Sequence, residues 1–126
     1  MQRDFHKNSC EAAYAAECAR KQGKFWELTG LMFKIQSYLD RVGIKTMAEQ
    51  KGVDVAMLEQ CMDDPATDLA IKADIAAGDA AGVAGTPALF LLGAHGDGTW
   101  VKLRASPEQI GAIVTAHKEA GAPLPL

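Results

Sequence analysis

Three cysteines, Cys10, Cys18 and Cys61, carry most of the chemistry that this chain of 126 residues can offer. Cys10 and Cys18 are eight residues apart on one predicted helix, which separates their Cα atoms by about 12 Å and excludes a bond between them. Cys18 with Cys61 is the pairing most compatible with the packing expected of the helices. The alternative is that both are small, buried apolar residues. The sequence contains no Cys-x-x-Cys.

A reactive single thiol at Cys10 is a second hypothesis. Asn8 or Ser9 is expected to cap the first helix, with Glu11 completing a capping box. Cys10 then falls in the first turn, where backbone N–H groups and the helix dipole can lower the pKa of a thiol. His6 and Cys10 have the spacing of a metal pair, but no further ligands cluster nearby, so no metal or other cofactor is predicted. An incidental, partly exposed cysteine is the alternative.

The composition restricts the classes of partner. A net charge of −3, from 13 basic and 16 acidic residues without a basic cluster, argues against a nucleic-acid surface. No apolar run approaches the roughly 20 residues of a membrane span, and the N-terminal residues lack the apolar region of a signal peptide. Two compartments stay open: the cytoplasm, or an extracytoplasmic one with the export signal removed. The apolar fraction of 48% is enough for the core of a single domain, residues 1–126.

Hydrophobic periodicity predicts a mostly helical chain that ends in a hairpin and a helix. In the second helix an aromatic and methionine stripe, with Trp26 and Phe33 on its flank, is assigned to the core. In the fifth helix Leu69, Ala73 and Ala76 are expected to face inward. Ser106 and Gln109 predict a capping box for the last helix. The predicted helices cover about residues 9–22, 24–38, 44–51, 55–62, 65–81 and from 107 onwards, and the strands cover 88–92 and 99–103.

Two stretches carry a family resemblance. The segment GVAGTPALFL, from Gly82 onwards, resembles the cis-proline segment of DsbA-like thiol-disulfide oxidoreductases, which belong to the thioredoxin superfamily. EAAYAAECARKQGKFWELTGLMFKIQ, from Glu11 to Gln36, is similar to the opening of the helical insertion in that family. The two matches occur in the family's order and at roughly its spacing. With the region between them they cover nearly the whole chain.

The resemblance implies an α/β (α+β) fold, a truncated thioredoxin-like domain. Its helical insertion would cover about residues 9–81, and the cis-proline loop, hairpin and last helix about 82–120. The family's Cys-x-x-Cys segment lies ahead of everything matched here, so the domain is expected to lack dithiol exchange on its own. Whether it is an enzyme stays open. In the family, backbone groups beside the proline pair with an extended substrate peptide, which points to Gly85, Thr86 and Pro87. Members are usually periplasmic or extracytoplasmic.

The strand at residues 88–92 is expected to lack a neighbour on one edge, since only a strand stub near residues 3–5 and the hairpin are predicted. An apolar, unpaired edge invites pairing with another chain. We therefore predict a homodimer, and an extended peptide or a thiol protein as possible partners. Two alternatives to an incomplete oxidoreductase domain are a non-enzymatic peptide-binding or dimerisation module that uses Thr86 and Pro87, and a single-thiol redox protein that uses Cys10.

Overall fold

The computed structural model describes residues 8–92, 99–103 and 106–120, except for the side chains of residues 117, 119 and 120. The chain divides into two compact units, Met1–Ala81 and Gly82–Leu126, which are described separately. The first unit is helical and the second holds the hairpin. The elements are α1 Ser9–Lys21, α2 Phe25–Lys34, a 3₁₀ turn Gln36–Tyr38, α3 Arg41–Gln50, α4 Val55–Met62, α5 Pro65–Ala80, β1 Leu89–Leu92, β2 Trp100–Leu103 and α6 Pro107–Ala120.

Local capping residues set most of the helix boundaries in the first unit. The side chains of Asp40, Asp54 and Asp64 each accept a hydrogen bond from a backbone N–H group in the first turn of α3, α4 and α5. Gly23 and Gly52 follow α1 and α3 with φ angles of 71° and 73°. Only glycine adopts this left-handed conformation without steric cost, so the chain reverses at these two positions.

The expected capping box at the start of α1 is wrong. The side chain of Asn8, which precedes the helix, makes no capping hydrogen bond. Glu11 instead accepts from Arg41 Nε at 2.8 Å, and the Nη2 group of Arg41 also lies 3.1 Å from Asp63. The guanidinium is a charged donor and the backbone N–H is not, so the Glu11 carboxylate is more strongly attracted to Arg41 of α3 than to its own helix end.

The core of the first unit lies where α1 packs against α2, α4 and α5. Its largest fully buried side chains are Leu28, Ile44, Leu58, Thr67 and Cys18. The predicted stripe of α2 is buried at Leu28 and Met32, whereas the residues on its flank, Trp26 and Phe33, are 81% and 72% exposed. They are two residues before and five residues after Leu28, which puts them on the far side of α2.

The inward face of α5 also differs from the prediction. Thr67 and Ile71, four residues apart and therefore on one face, are buried. Leu69 is 66% exposed, and Ala73 and Ala76 are exposed as well. The helix is so rich in alanine that its apolar periodicity is shallow, and the buried threonine is the residue that a hydrophobic pattern overlooks.

The second unit contains a β-hairpin and a helix. The peptide bond between Thr86 and Pro87 is cis, and Gly82 has a φ angle of 75°. β1 and β2 pair antiparallel with Leu89 opposite Leu103 and Leu92 opposite Trp100. The predicted capping box of α6 is present: Gln109 Oε1 accepts from the Ser106 N–H at 2.8 Å, and Ser106 Oγ accepts from the Gln109 N–H at 3.3 Å.

Candidate functional site

The Gly85–Thr86–Pro87 turn leads into β1 and is solvent-exposed at all three residues. β1 consists only of leucine and phenylalanine, and its end residues Leu89 and Leu92 are 43% and 48% exposed. Among the described residues the sheet has two strands, so one edge of β1 pairs with β2 and the other bonds to no described strand. Such an edge offers free N–H and C=O groups next to apolar side chains.

A disulfide joins Cys18 in α1 to Cys61 near the end of α4, which is the pairing predicted from the sequence. The sulfurs are 2.06 Å apart and the Cα atoms 5.8 Å apart, within the usual range for a disulfide. Cys18 is 1% exposed, whereas Cys61 is half-buried. The bond therefore lies at the edge of the core, with one cysteine facing inward and the other towards the surface.

Thr67 is the polar residue that lies against this disulfide, and sequence reasoning missed it. It is fully buried, and its hydroxyl donates a 2.7 Å hydrogen bond to the carbonyl oxygen of Cys61. The hydroxyl oxygen of Thr67 is 3.5 Å from the sulfur of Cys61 and 3.8 Å from that of Cys18. The available signal was its position in the first turn after the Asp64–Pro65 helix start, six residues beyond Cys61, from which a side chain can reach back to the end of α4.

A polar contact beside the core ties α1 to α5. Tyr14 donates a 2.7 Å hydrogen bond to Asp68 Oδ1, while Lys72 Nζ lies 2.6 Å from Asp68 Oδ2. The hydrogen bond from Lys72, and then that from Tyr14, lowers the pKa of the Asp68 carboxyl. The hydrogen bond to Asp68 is the first cause of a raised pKa for the Tyr14 phenol. Asp68 is thus held ionised at neutral pH, in a structural role.

The remaining cysteine, Cys10, is a free thiol, half-buried in the first turn of α1. Its predicted neighbour His6 lies outside the described residues, as does the expected strand near residues 3–5. Within the described part of the chain, no group of histidine, cysteine and acidic residues could hold a metal ion. Across the same ranges, none of the helices combines the length and apolarity that crossing a membrane requires.

Comparison with known proteins identifies the family. A thioredoxin family model matches residues 1–115, nearly the whole chain. The chain belongs to the thioredoxin superfamily. The mixed α/β thioredoxin-like fold expected from the sequence is therefore confirmed, and the family match also supports the DsbA-like resemblance.

The curated relatives of this thioredoxin-superfamily chain are much longer proteins. It is 32% identical over 114 residues to the Na⁺/H⁺ antiporter NhaA 3 of Salinispora tropica, covering 90% of this chain and 18% of that protein. It is 30% identical to NhaA 1 of Salinispora arenicola, covering 90% of this chain and 17% of that protein. It is 33% identical to NhaA of Herminiimonas arsenicoxydans, covering 70% of this chain and 14% of that protein. The chain therefore spans less than a fifth of the length of these relatives. No solved structure matches it.

Proposed function

We propose that this chain is the rear part of a DsbA-like thiol-disulfide oxidoreductase domain, which supplies a peptide-binding edge and no dithiol exchange of its own. The observation that carries the proposal is the exposed Gly85–Thr86–Pro87 turn, followed directly by the apolar strand β1. In the resembling family this is where an extended substrate peptide lies. The family match over residues 1–115 supports the assignment.

The cysteines support the absence of dithiol exchange of the Cys-x-x-Cys type, in which the protein's own thiolate attacks a substrate. Exchange requires an accessible thiolate that attacks and a second thiol that resolves the mixed disulfide. Cys18 is buried and bonded to Cys61, and Cys10 has no second thiol at Cys-x-x-Cys spacing. A reactive pair would therefore come from a Cys-x-x-Cys segment outside this sequence, either in a longer polypeptide or in another chain.

The edge of β1 accounts for the proposed partners. A peptide that adds to this edge gains main-chain hydrogen bonds, and its side chains contact apolar residues on both faces of the strand. The strand carries no lysine or proline, the residues that commonly protect an exposed edge. The same edge would pair two copies of the chain about a two-fold axis, which is the basis for the proposed homodimer.

Three measurements on the full chain test these proposals: insulin reduction, NMR titration and light scattering. An insulin-reduction assay with dithiothreitol is expected to show no rate above the reductant alone. Turnover that Cys10→Ser abolishes would instead support the single-thiol alternative.

NMR titration with an extended apolar peptide is expected to shift the amides of residues 85–92, and light scattering to give twice the chain mass. Leu89→Lys should weaken peptide binding and dimerisation, while Leu69→Lys, which replaces an even more exposed leucine in the helical unit, should affect neither. A mass equal to that of one chain would contradict the dimer. Amide signals of residues 85–92 that do not shift would contradict peptide binding at this edge.

A second candidate is an accessory domain of a Na⁺/H⁺ antiporter. The observation in its favour is that the three relatives described above, and a further one from Mycolicibacterium gilvum, all carry that name. An antibody against this chain would test it on immunoblots of fractionated source cells. A band far above 13.4 kDa in the membrane fraction supports the antiporter, and a band near 13.4 kDa argues against it.

A further inference from the structure

We propose that Cys18 and Cys61 form a reversible redox couple within the folded helical unit, and that Thr67 provides the hydrogen bond that accommodates its reduced form. The inference goes beyond the proposed function, because it involves neither β1 nor a Cys-x-x-Cys segment. It concerns the disulfide that the first unit itself contains.

In the oxidised state the Thr67 hydroxyl donates a hydrogen bond but accepts none from the two cysteines. Its single proton is directed to the Cys61 carbonyl oxygen at 2.7 Å. The sulfurs at 3.5 and 3.8 Å carry no hydrogen while they are bonded to each other, so neither can donate to the hydroxyl oxygen. Thr67 has no exposed surface, so solvent does not reach this oxygen. An acceptor therefore stands unused beside both sulfurs.

Reduction supplies the missing donor. A dithiol reductant transfers two electrons and two protons: the S–S bond breaks, each sulfur gains a hydrogen, and the reductant closes to its own disulfide. Either new thiol can then donate S–H to the Thr67 oxygen, since both sulfurs already lie within the distance of a sulfur hydrogen bond. The buried thiol is thereby paired without water entering the core, and this stabilises the reduced form specifically.

The exposure of the two cysteines sets the direction of attack. Because Cys61 is the more exposed of the two residues, the external thiolate attacks its sulfur and forms a mixed disulfide with it, and the sulfur of the buried Cys18 leaves as a thiolate and takes up a proton. The second thiol of the reductant then attacks the reductant's first sulfur, which is bonded to Cys61 in the mixed disulfide, and releases Cys61 as a thiol. Thr67 is a positioning residue in this exchange, because it forms no bond with the reductant.

The test compares isosteric variants in a Cys10→Ser background, which removes the third thiol. The full chain is equilibrated in buffers of reduced and oxidised dithiothreitol, quenched by alkylation and read by mass spectrometry. Thr67→Val keeps the shape and removes the acceptor. The bond to the Cys61 carbonyl is lost in both redox states, so its effect cancels. The equilibrium constant for reduction should fall about threefold to tenfold, on the order of 15–30 mV.

Two controls separate this role from a general effect of the substitution. Thr67→Ser keeps the hydroxyl and should leave the constant unchanged. So should Thr46→Val, an exposed threonine of α3 whose hydroxyl donates to the Val42 carbonyl. A constant for Thr67→Val equal to that of the parent, or an equal shift in Thr46→Val, overturns the proposal. Loss of the helical circular dichroism on reduction of the parent also overturns it.

A spectroscopic measurement keeps the proposal testable if Thr67→Val does not fold. In the reduced Cys10→Ser chain, the S–H stretching band of one thiol should lie at lower frequency than that of a solvated thiol, because it donates to Thr67. Two bands at solvated frequencies would refute the hydrogen bond. Absence of peptide binding at β1 would leave all of these results unaffected, so failure of the proposed function is distinguishable from failure of this inference.

Discussion

Removal of the Cys18–Cys61 disulfide is predicted to be among the most destabilising changes in the helical unit. The bond joins residues separated by 43 positions in sequence, and it closes a long loop in the unfolded chain. In the chain-entropy description, closing a loop of that length removes about 13 cal/mol/K from the unfolded ensemble, or about 4 kcal/mol at 25 °C. Small domains are stable by only about 5–15 kcal/mol. The double variant Cys18→Ala/Cys61→Ala should therefore remain folded with little margin.

The assay is urea unfolding of the full chain followed by helical circular dichroism, since five of the six α-helices in the described part of the chain lie in this unit. Tryptophan fluorescence is a poor probe, because Trp26 and Trp100 are 81% and 65% exposed. The unfolding midpoint should fall, and the dependence on urea should steepen because the uncrosslinked chain exposes more surface. Cys10→Ala is the matched control and should change neither. A loss below about 1 kcal/mol in the double variant would refute the loop-closure reasoning.

Two further predictions concern single side chains. A Cβ at Gly43 would overlap the carbonyl oxygen of Tyr38, so Gly43→Ala should lower stability in thermal unfolding by about 1–3 kcal/mol. Gly30 in α2 has open space around it, so Gly30→Ala should raise stability by about 0.5–1 kcal/mol. Lys72 lowers the pKa of Asp68, so the stability from this carboxylate is present above the unfolded pKa of about 3.9 and is lost as the pH falls through the folded value. Asp68→Asn should flatten the pH dependence of unfolding below about pH 4, and an unchanged profile would contradict this assignment.

Local sequence determined the elements whose bounds were predicted correctly. α4 was predicted over residues 55–62 and is found there, because Asp54 caps it and its apolar residues share one face. Asp64 and Pro65 likewise start α5 at the predicted residue. Ser106 and Gln109 form the expected capping box of α6. In each case the deciding interaction spans three residues or fewer, so it is readable from the chain itself.

Contacts that extend beyond one helix account for the misplaced elements. α3 was predicted from about residue 44 but begins at Arg41, after the cap provided by Asp40. A Cβ at Gly43 would overlap the carbonyl oxygen of Tyr38, so the close approach of the preceding 3₁₀ turn requires glycine at this position. Glu11 left its own helix end for Arg41, thirty residues away. No periodicity within a single helix contains this information.

The candidate site divides in the same way. The residues of the exposed Gly85–Thr86–Pro87 turn predict only the start of a strand, and its choice as a candidate peptide-binding site came from the family resemblance. The disulfide required the packing of α1 against α4: geometry excluded only Cys10–Cys18, and Cys18–Cys61 was named as the pairing most compatible with the expected helix packing, with two unbonded buried cysteines as the alternative. The burial of Thr67 depends on which face of α5 is turned towards the core. The alanine-rich pattern of that helix did not determine it.

The stability of the helical unit and the equilibrium constant for reduction of its disulfide are thermodynamically linked, because folding and reduction are coupled. If the disulfide stabilises the folded unit by about 4 kcal/mol, then folding must make the pair harder to reduce by the same free energy, on the order of 85 mV for two electrons. The hydrogen bond that Thr67 offers the reduced form offsets part of that shift. Thr67→Val should therefore raise the free energy that the disulfide contributes to stability by RT ln of the factor by which it lowers the equilibrium constant for reduction, about 0.6–1.4 kcal/mol for a threefold to tenfold change. Unequal changes in the two quantities would mean that the reduced unit is not folded, and the redox couple would then belong to the unfolded chain.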